Sequence, residues 1–184
     1  IKIENVPEDE KYSFGKSLFI SESERYFHRD KTCEPYWYEF KVDSVHNHTS
    51  KELFIKANEL IVQELELIKN DLKNTSNKED SRISIEKTEE NIYTLNIYGN
   101  DDTIGNILQN DISRNIIDDD SDIIVCGYKK VHPLENIIMF NISLKQNNKT
   151  NEQNLIKIIE VFTESSNNLI DIYNTMIAEA KKNL

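Results

Sequence analysis

Long hydrophobic runs are missing from this chain. No window approaches the roughly eighteen consecutive apolar residues that a membrane-spanning helix needs. The stretch Ile1 to Glu10 is acidic and polar, unlike a signal peptide, so the sequence predicts a soluble protein of the cytoplasm or nucleus. Cysteine is scarce: Cys33 and Cys126 lie far apart, with no second Cys nearby and no His pair at finger-like spacing. This excludes a structural zinc site and predicts ordinary reduced thiols. Basic residues are outnumbered, 22 Lys and Arg against 33 Asp and Glu, and the net charge of -11 opposes phosphate approach. No direct contact with nucleic acid is expected.

Catalytic signatures are absent too. The histidines are His28, His46, His48 and His132, and no Gly-x-Ser-x-Gly, His-Glu-x-x-His, Walker-type or dinucleotide pattern occurs. His46-Asn47-His48 has no third ligand and reads as a solvated loop. Asp118 to Asp122 fails the EF-hand spacing and reads as a hydrated acidic turn. Tyr36-Trp37-Tyr38 lacks the basic groove of a single-strand-binding platform and reads as a strand with core-facing rings. The sequons at Asn141 and Asn148 are chance products of an Asn- and Ile-rich composition. No cofactor, metal or catalytic residue is expected.

What is present is periodic. The chain's 184 residues and 38% hydrophobic content suit one or two small domains with some apolar surface meant for a partner. Residues 1–35 carry short strand-like runs such as Ser17 to Ile20 and no motif. Tyr36, Tyr38, Phe40 and Val42 then alternate with Trp37, Glu39 and Lys41, a period of two that predicts a strand with one face buried. After a polar link, Thr49-x-x-Glu52 forms a capping box. It opens a helix to about Lys73 with Leu53, Ala57, Leu60, Ile61, Leu65, Ile68 and Leu72 inward. Asn74 to Asp80 reads as a linker. Strands are predicted around Ile83 and Ile85, from Ile92 to Tyr98, from Ile123 to Tyr128 and from Asn136 to Leu144. A helix opening near Asp102 or Thr103 carries Ile104, Ile107, Leu108 and Ile112 on one stripe, interrupted by Gly105. A second capping box, Thr150-x-x-Gln153, opens a final helix running almost to Leu184. Its apolar positions are Leu155, Ile158, Ile159, Phe162, Leu169, Ile172, Tyr173, Met176, Ile177 and Ala180. The sequence echoes itself: Phe40-x-Val42 before the first capping box and long helix is matched by Phe140-x-Ile142 before the second.

Two stretches are motif-like, Tyr98-Gly99-Asn100-Asp101-Asp102-Thr103-Ile104-Gly105-Asn106-Ile107-Leu108 and Gly127-Tyr128-Lys129-Lys130-Val131-His132-Pro133-Leu134-Glu135. They resemble the signature of the alpha-like assembly subunits of multisubunit RNA polymerases, of the small eleventh-subunit type. That pattern runs Glu-Asp-His-Thr-Leu-Gly-Asn-Leu-Leu, then Gly-Tyr-x-x-x-His-Pro-Leu. The chain keeps Asp101, Thr103, Gly105, Asn106, Leu108, Gly127, Tyr128, His132, Pro133 and Leu134; it departs with Asn100 for the acid and Asp102 for the histidine. Phe40-Lys41-Val42-Asp43-Ser44 and the helix after it are similar to the ending of the third-largest subunit.

The resemblance implies an α+β fold: antiparallel sheets against long amphipathic helices, with pseudo-twofold halves. It implies three segments, namely an unassigned stretch over 1–35, the tail of a third-subunit-like half and a linker over 36–80, and an eleventh-subunit-like half over 81–184. With Ile1 in place of Met and no signature helix in the first half, the expectation is the C-terminal portion of a longer fusion, as in polymerases of large cytoplasmic DNA viruses. The site would then lie in the host cytoplasm or virion, and otherwise in the nucleus. The implied function is a non-catalytic assembly platform that docks the largest and second-largest polymerase subunits, with its alpha-like partner supplied in cis or by another chain. The implied interface comprises Thr103, Ile104, Gly105, Asn106, Ile107, Leu108, Ile112, Leu155, Ile158, Ile159, Phe162, Leu169 and Tyr173, and Gly127, Tyr128, His132, Pro133 and Leu134 form the motif turn. The alternatives are a self-associating interaction module and, more distantly, an enzyme using the acidic cluster.

Overall fold

The computed structural model describes residues 41–45, 47–74, 81–116, 122–146 and 150–183. The chain divides into two units, 1–45 and 46–184, and every element below belongs to the second. In order they are α1 (Ser50–Lys73), β1 (Ile83–Glu89), β2 (Ile92–Tyr98), α2 (Asp102–Asn115), β3 (Ile123–Lys130), β4 (Ile137–Leu144) and α3 (Asn151–Asn183). Of the expected strand over 36–42, only Lys41 and Val42 are described, and they have no regular structure. His46 and most of the linker and acidic turn also lie outside the described residues.

Both capping boxes form. The Thr49 hydroxyl accepts from the Glu52 amide at 3.2 Å and the Glu52 carboxylate accepts from the Thr49 amide at 2.9 Å. Thr150 and Gln153 make the same pair of bonds at 3.3 and 3.0 Å. Each box satisfies two amides that the first helical turn would otherwise leave unpaired. The Thr49 backbone bond, and then its side chain, hold the Glu52 carboxyl below the usual carboxylate value. A depressed pKa stabilises above the unfolded value and is lost as pH falls through the folded one. Acidification below pH about 4 should therefore fray the first turn of α1. NMR Cα shifts of Ser50 to Glu52 report this, and Glu52→Gln should abolish the pH dependence; fraying that persists unchanged in that variant would exclude the carboxylate as its cause.

The four strands form one antiparallel sheet in the order β1-β2-β4-β3. The β1–β2 hairpin turns through Asn91, whose φ of 61° is a left-handed conformation that Asn tolerates well. Register aligns Ile85, Leu95, Phe140 and Tyr128 in one row across the sheet, flanked by rows through Ile83, Ile97 and Ile138 and through Tyr93, Ile142 and Cys126. This face is apolar and belongs to the core. The other face is mixed and not buried: Ile92, Tyr98, Val125, Ile137 and Met139 lie among polar pairs in which Thr94 bonds to Thr88 at 2.7 Å and to Asn141 at 3.4 Å, and Asn96 donates to Ser84 at 3.3 Å. A sheet with one apolar face needs one covering layer, and helices supply it.

α2 packs on β3 and α3, and Phe162 of α3 meets Phe140 of the sheet. α1 runs antiparallel to α3, since Lys51 near its start donates to the Lys181 carbonyl at 3.2 Å while Lys69 near its end donates to Asn167 at 3.1 Å. Leu65, Ile68 and Leu72 of α1 are fully buried in the shared core, each worth roughly 1.5–3 kcal/mol of burial. The inward stripes are narrower than the sequence predicts. Leu53 and Leu60 are 40% and 53% exposed, and Ile172 and Met176 are 52% and 39% exposed. Helical spacing places such residues on an apolar face, but whether another element covers that face depends on where the sheet ends. Among the described residues, no helix is long and apolar enough to cross a membrane.

Candidate dimerisation site

α2 begins where β2 ends. Gly99, at φ 82°, makes the left-handed turn, and the Asp101 carboxylate caps the helix by accepting from the Thr103 amide at 3.0 Å. This cap leaves Asp102 and Thr103 exposed on the first turn and turns Ile104, Gly105, Leu108 and Ile112 inward, with Ile107 half-buried. Asn106 faces solvent and accepts from Asn110 at 2.9 Å.

The two sequence motifs meet in space. A Cβ on Gly105 would lie 2.6 and 2.7 Å from Cδ2 and Cε2 of Tyr128, far inside van der Waals contact, so the helix passes the ring at a distance only glycine permits. The Tyr128 ring in turn packs against Phe140 at 6.0 Å between centroids, and Phe140 meets Phe162 edge-on at 5.1 Å. The Tyr128 amide also donates to Gln109 of α2 at 3.4 Å. A continuous aromatic path thus runs from the first motif through the second into α3. A Cβ at Gly127 would meet nothing within 4 Å, so the space around it does not require glycine. His132, Pro133 and Leu134 form an exposed turn between β3 and β4; the His132 ring nitrogen Nδ1 accepts from the Leu134 amide at 3.2 Å.

On α3, Ile158 and Phe162 are fully buried, Leu169 nearly so, and Leu155, Ile159 and Tyr173 are half-buried. Burial raises the Tyr173 phenol above its ordinary pKa and pushes the Cys126 thiol up to about 12, leaving that cysteine unreactive. Among the described residues no group of three His, Cys, Asp or Glu side chains is placed to hold a metal.

A polar cluster that sequence reasoning missed joins α1 to the first motif. Asn100 is only 4% exposed and donates to the Glu64 carboxylate at 3.0 Å. Arg82 donates to the same Glu64 oxygen at 3.0 Å and to Asp71 at 2.9 Å. Burial pulls the Arg82 pKa down, but the bonds and charges of Asp71 and Glu64 outweigh it and hold the guanidinium above its ordinary value. The one available signal was the seven-residue spacing of Glu64 and Asp71, which sets both carboxylates on one helix face.

No curated protein matches the chain significantly. The fold is consistent with a family whose model does match: residues 93–179, just under half of the chain and spanning β2 to α3, are similar to the RNA polymerase Rpb3/Rpb11 dimerisation domain. That match, over the stretch that holds both motifs and the aromatic path between them, supports an RNA polymerase alpha-like subunit.

Proposed function

We propose that this chain is a non-catalytic assembly platform of a DNA-directed RNA polymerase, in which α1 and α3 form the seam of an alpha-like pseudo-heterodimer that docks the two largest subunits. One observation carries the reading. Superposing the capping boxes, Thr49 on Thr150, pairs Leu53, Ala57 and Leu60 of α1 with Asn154, Ile158 and Val161 of α3. α3 turns those positions toward its own sheet, Asn154 and Ile158 being buried and Val161 half-buried, whereas α1 exposes all three. The same asymmetry runs along α3, whose face is buried at Ile158, Phe162, Ser165 and Leu169 and exposed at Ile172 and Met176. An equivalent second half fits these exposed faces and is supplied in cis or by another chain. Residues 36–80 are then the tail of the third-subunit-like half and 81–184 the eleventh-subunit-like half, with Thr103 to Leu108, Ile112 and Leu155 to Tyr173 at or beneath their interface. Transcription by a viral polymerase in the host cytoplasm is the setting that the fusion reading favours.

Co-expression with the two largest subunits of the source polymerase tests this. The wild-type chain should recover both, identified by mass, whereas Leu60→Gln with Met176→Gln should lose them at little cost in melting temperature, because the two side chains are 53% and 39% exposed and the change adds no charge beside Glu64. Undiminished recovery by that variant would overturn the seam assigned to α1 and α3, whereas a wild-type chain that recovers neither subunit and forms only a discrete homo-oligomer would favour a self-associating module instead.

A further inference from the structure

The apolar stripe of α1 does not by itself fix how the helix lies along the sheet. Ile61, Leu65, Ile68 and Leu72 recur at steps of four, three and four, so a slide of one turn, about 5.4 Å, puts one large aliphatic side chain where another was. Burial alone tolerates that exchange, since swaps of similar volume cost little. The polar contacts do not. Such a slide sets Leu60, Leu67 or Ile68 against Arg82 and Asn100, leaving a buried amide and a guanidinium without their carboxylate. A slide of two turns leaves Arg82 with one of its two carboxylates.

We infer that Glu64, Asp71, Arg82 and Asn100 form a register lock, the specificity-determining contact that admits α1 to the end of the sheet in one alignment. The parts suit the role. Arg82 immediately precedes β1, and its carbonyl accepts from the Tyr98 amide at 2.9 Å, so it is anchored to the sheet. Arg82 Nη2 is buried with no acceptor among the described residues, so Glu64 and Asp71 alone compensate the desolvation of the guanidinium. Asn100 has to donate here: an acid in its place would point a second carboxylate at Glu64. Single buried polar groups fix register in packed helices in the same way, by making the misaligned states costly. The inference stands on the placement of α1 and does not depend on the polymerase reading.

The test uses the full chain. Asn100→Asp at pH 7 should reduce hydrogen-exchange protection of the α1 amides by about tenfold or more, because two ionised carboxylates repel each other out of hydrogen-bond distance. Adding Glu64→Gln should restore protection, since the new amide can donate to the carboxylate introduced at position 100 and accept from Arg82. Acidification should restore it as well, one carboxyl then donating to the other. The charged groups around the position are Glu64 and Asp71 from α1, Arg82 from the start of β1, and Asp101 from the motif loop. Register itself is read by spin labels at Lys73→Cys and Lys129→Cys in a Cys33→Ser background, Cys126 being buried. Their distance distribution should be narrow in the otherwise wild-type chain and broad in Glu64→Ala with Asp71→Ala at unchanged helix content. Wild-type protection in Asn100→Asp, failure of Glu64→Gln to rescue it, or a distribution that stays narrow would each overturn the lock.

Discussion

Phe162→Ala should destabilise the protein by about 3–5 kcal/mol, the range for truncating a fully buried aromatic ring. Phe162 is entirely buried, and its ring meets the Phe140 ring edge-on at 5.1 Å, where Phe140 is itself fully buried at the centre of the sheet. Truncation removes that aromatic pair, worth about 0.5–1.5 kcal/mol beyond area. It also opens a void between two rigid layers, α3 and the sheet, that cannot close on it. Against a total stability of about 5–15 kcal/mol for a domain of this size, the loss is a large fraction. Chemical denaturation measures it directly; a loss under about 1 kcal/mol would show that α3 does not close this core. Phe162→Leu should cost clearly less.

The second large effect concerns Gly105→Ala, where two contributions have opposite sign. Alanine favours a helix interior over glycine by about 1 kcal/mol, so an uncrowded position would be stabilised. Here the new methyl would lie 2.6 Å from the Tyr128 ring, and the Cγ near the root of that side chain is 3.2 Å away, so rotation of the ring tip cannot clear the space. Phe140 stands on the row beside Tyr128 and restricts its retreat. Overpacking of this kind costs about 1–3 kcal/mol, so the net change should be destabilising. The double variant Gly105→Ala with Tyr128→Leu should recover most of the loss, and a cycle of the two substitutions isolates their coupling. Stabilisation by Gly105→Ala alone would disprove the close approach.

Both effects descend from features visible in the sequence, though unequally. The helix starts were legible because a capping box is local chemistry: a hydroxyl and a carboxylate or amide three residues apart find each other whatever the tertiary context. The strands were legible from alternation, which fixes the face of each side chain. The glycine in the signature helix was legible as an anomaly, since its intrinsic cost implies a neighbour, but the neighbour could not be named. Tyr128 is twenty-three residues away, on a strand whose place at the sheet edge follows from the order β1-β2-β4-β3.

By itself, then, the sequence determined the elements, their caps, their apolar faces and the resemblance to an alpha-like polymerase subunit, because these rest on interactions within a few residues or on patterns along one strand or helix. Tertiary structure alone decided which apolar faces are covered. Leu53, Leu60, Ile172 and Met176 carry the same periodic signal as Leu65 and Phe162, yet burial depends on how far the sheet extends beneath each helix. It also decided that Arg82 serves Glu64 and Asp71 together, and that Asn100, a departure from the motif, is the donor that a carboxylate eighteen residues before Arg82 requires. Contacts between residues distant in the chain are set by packing, and no local pattern encodes their partner.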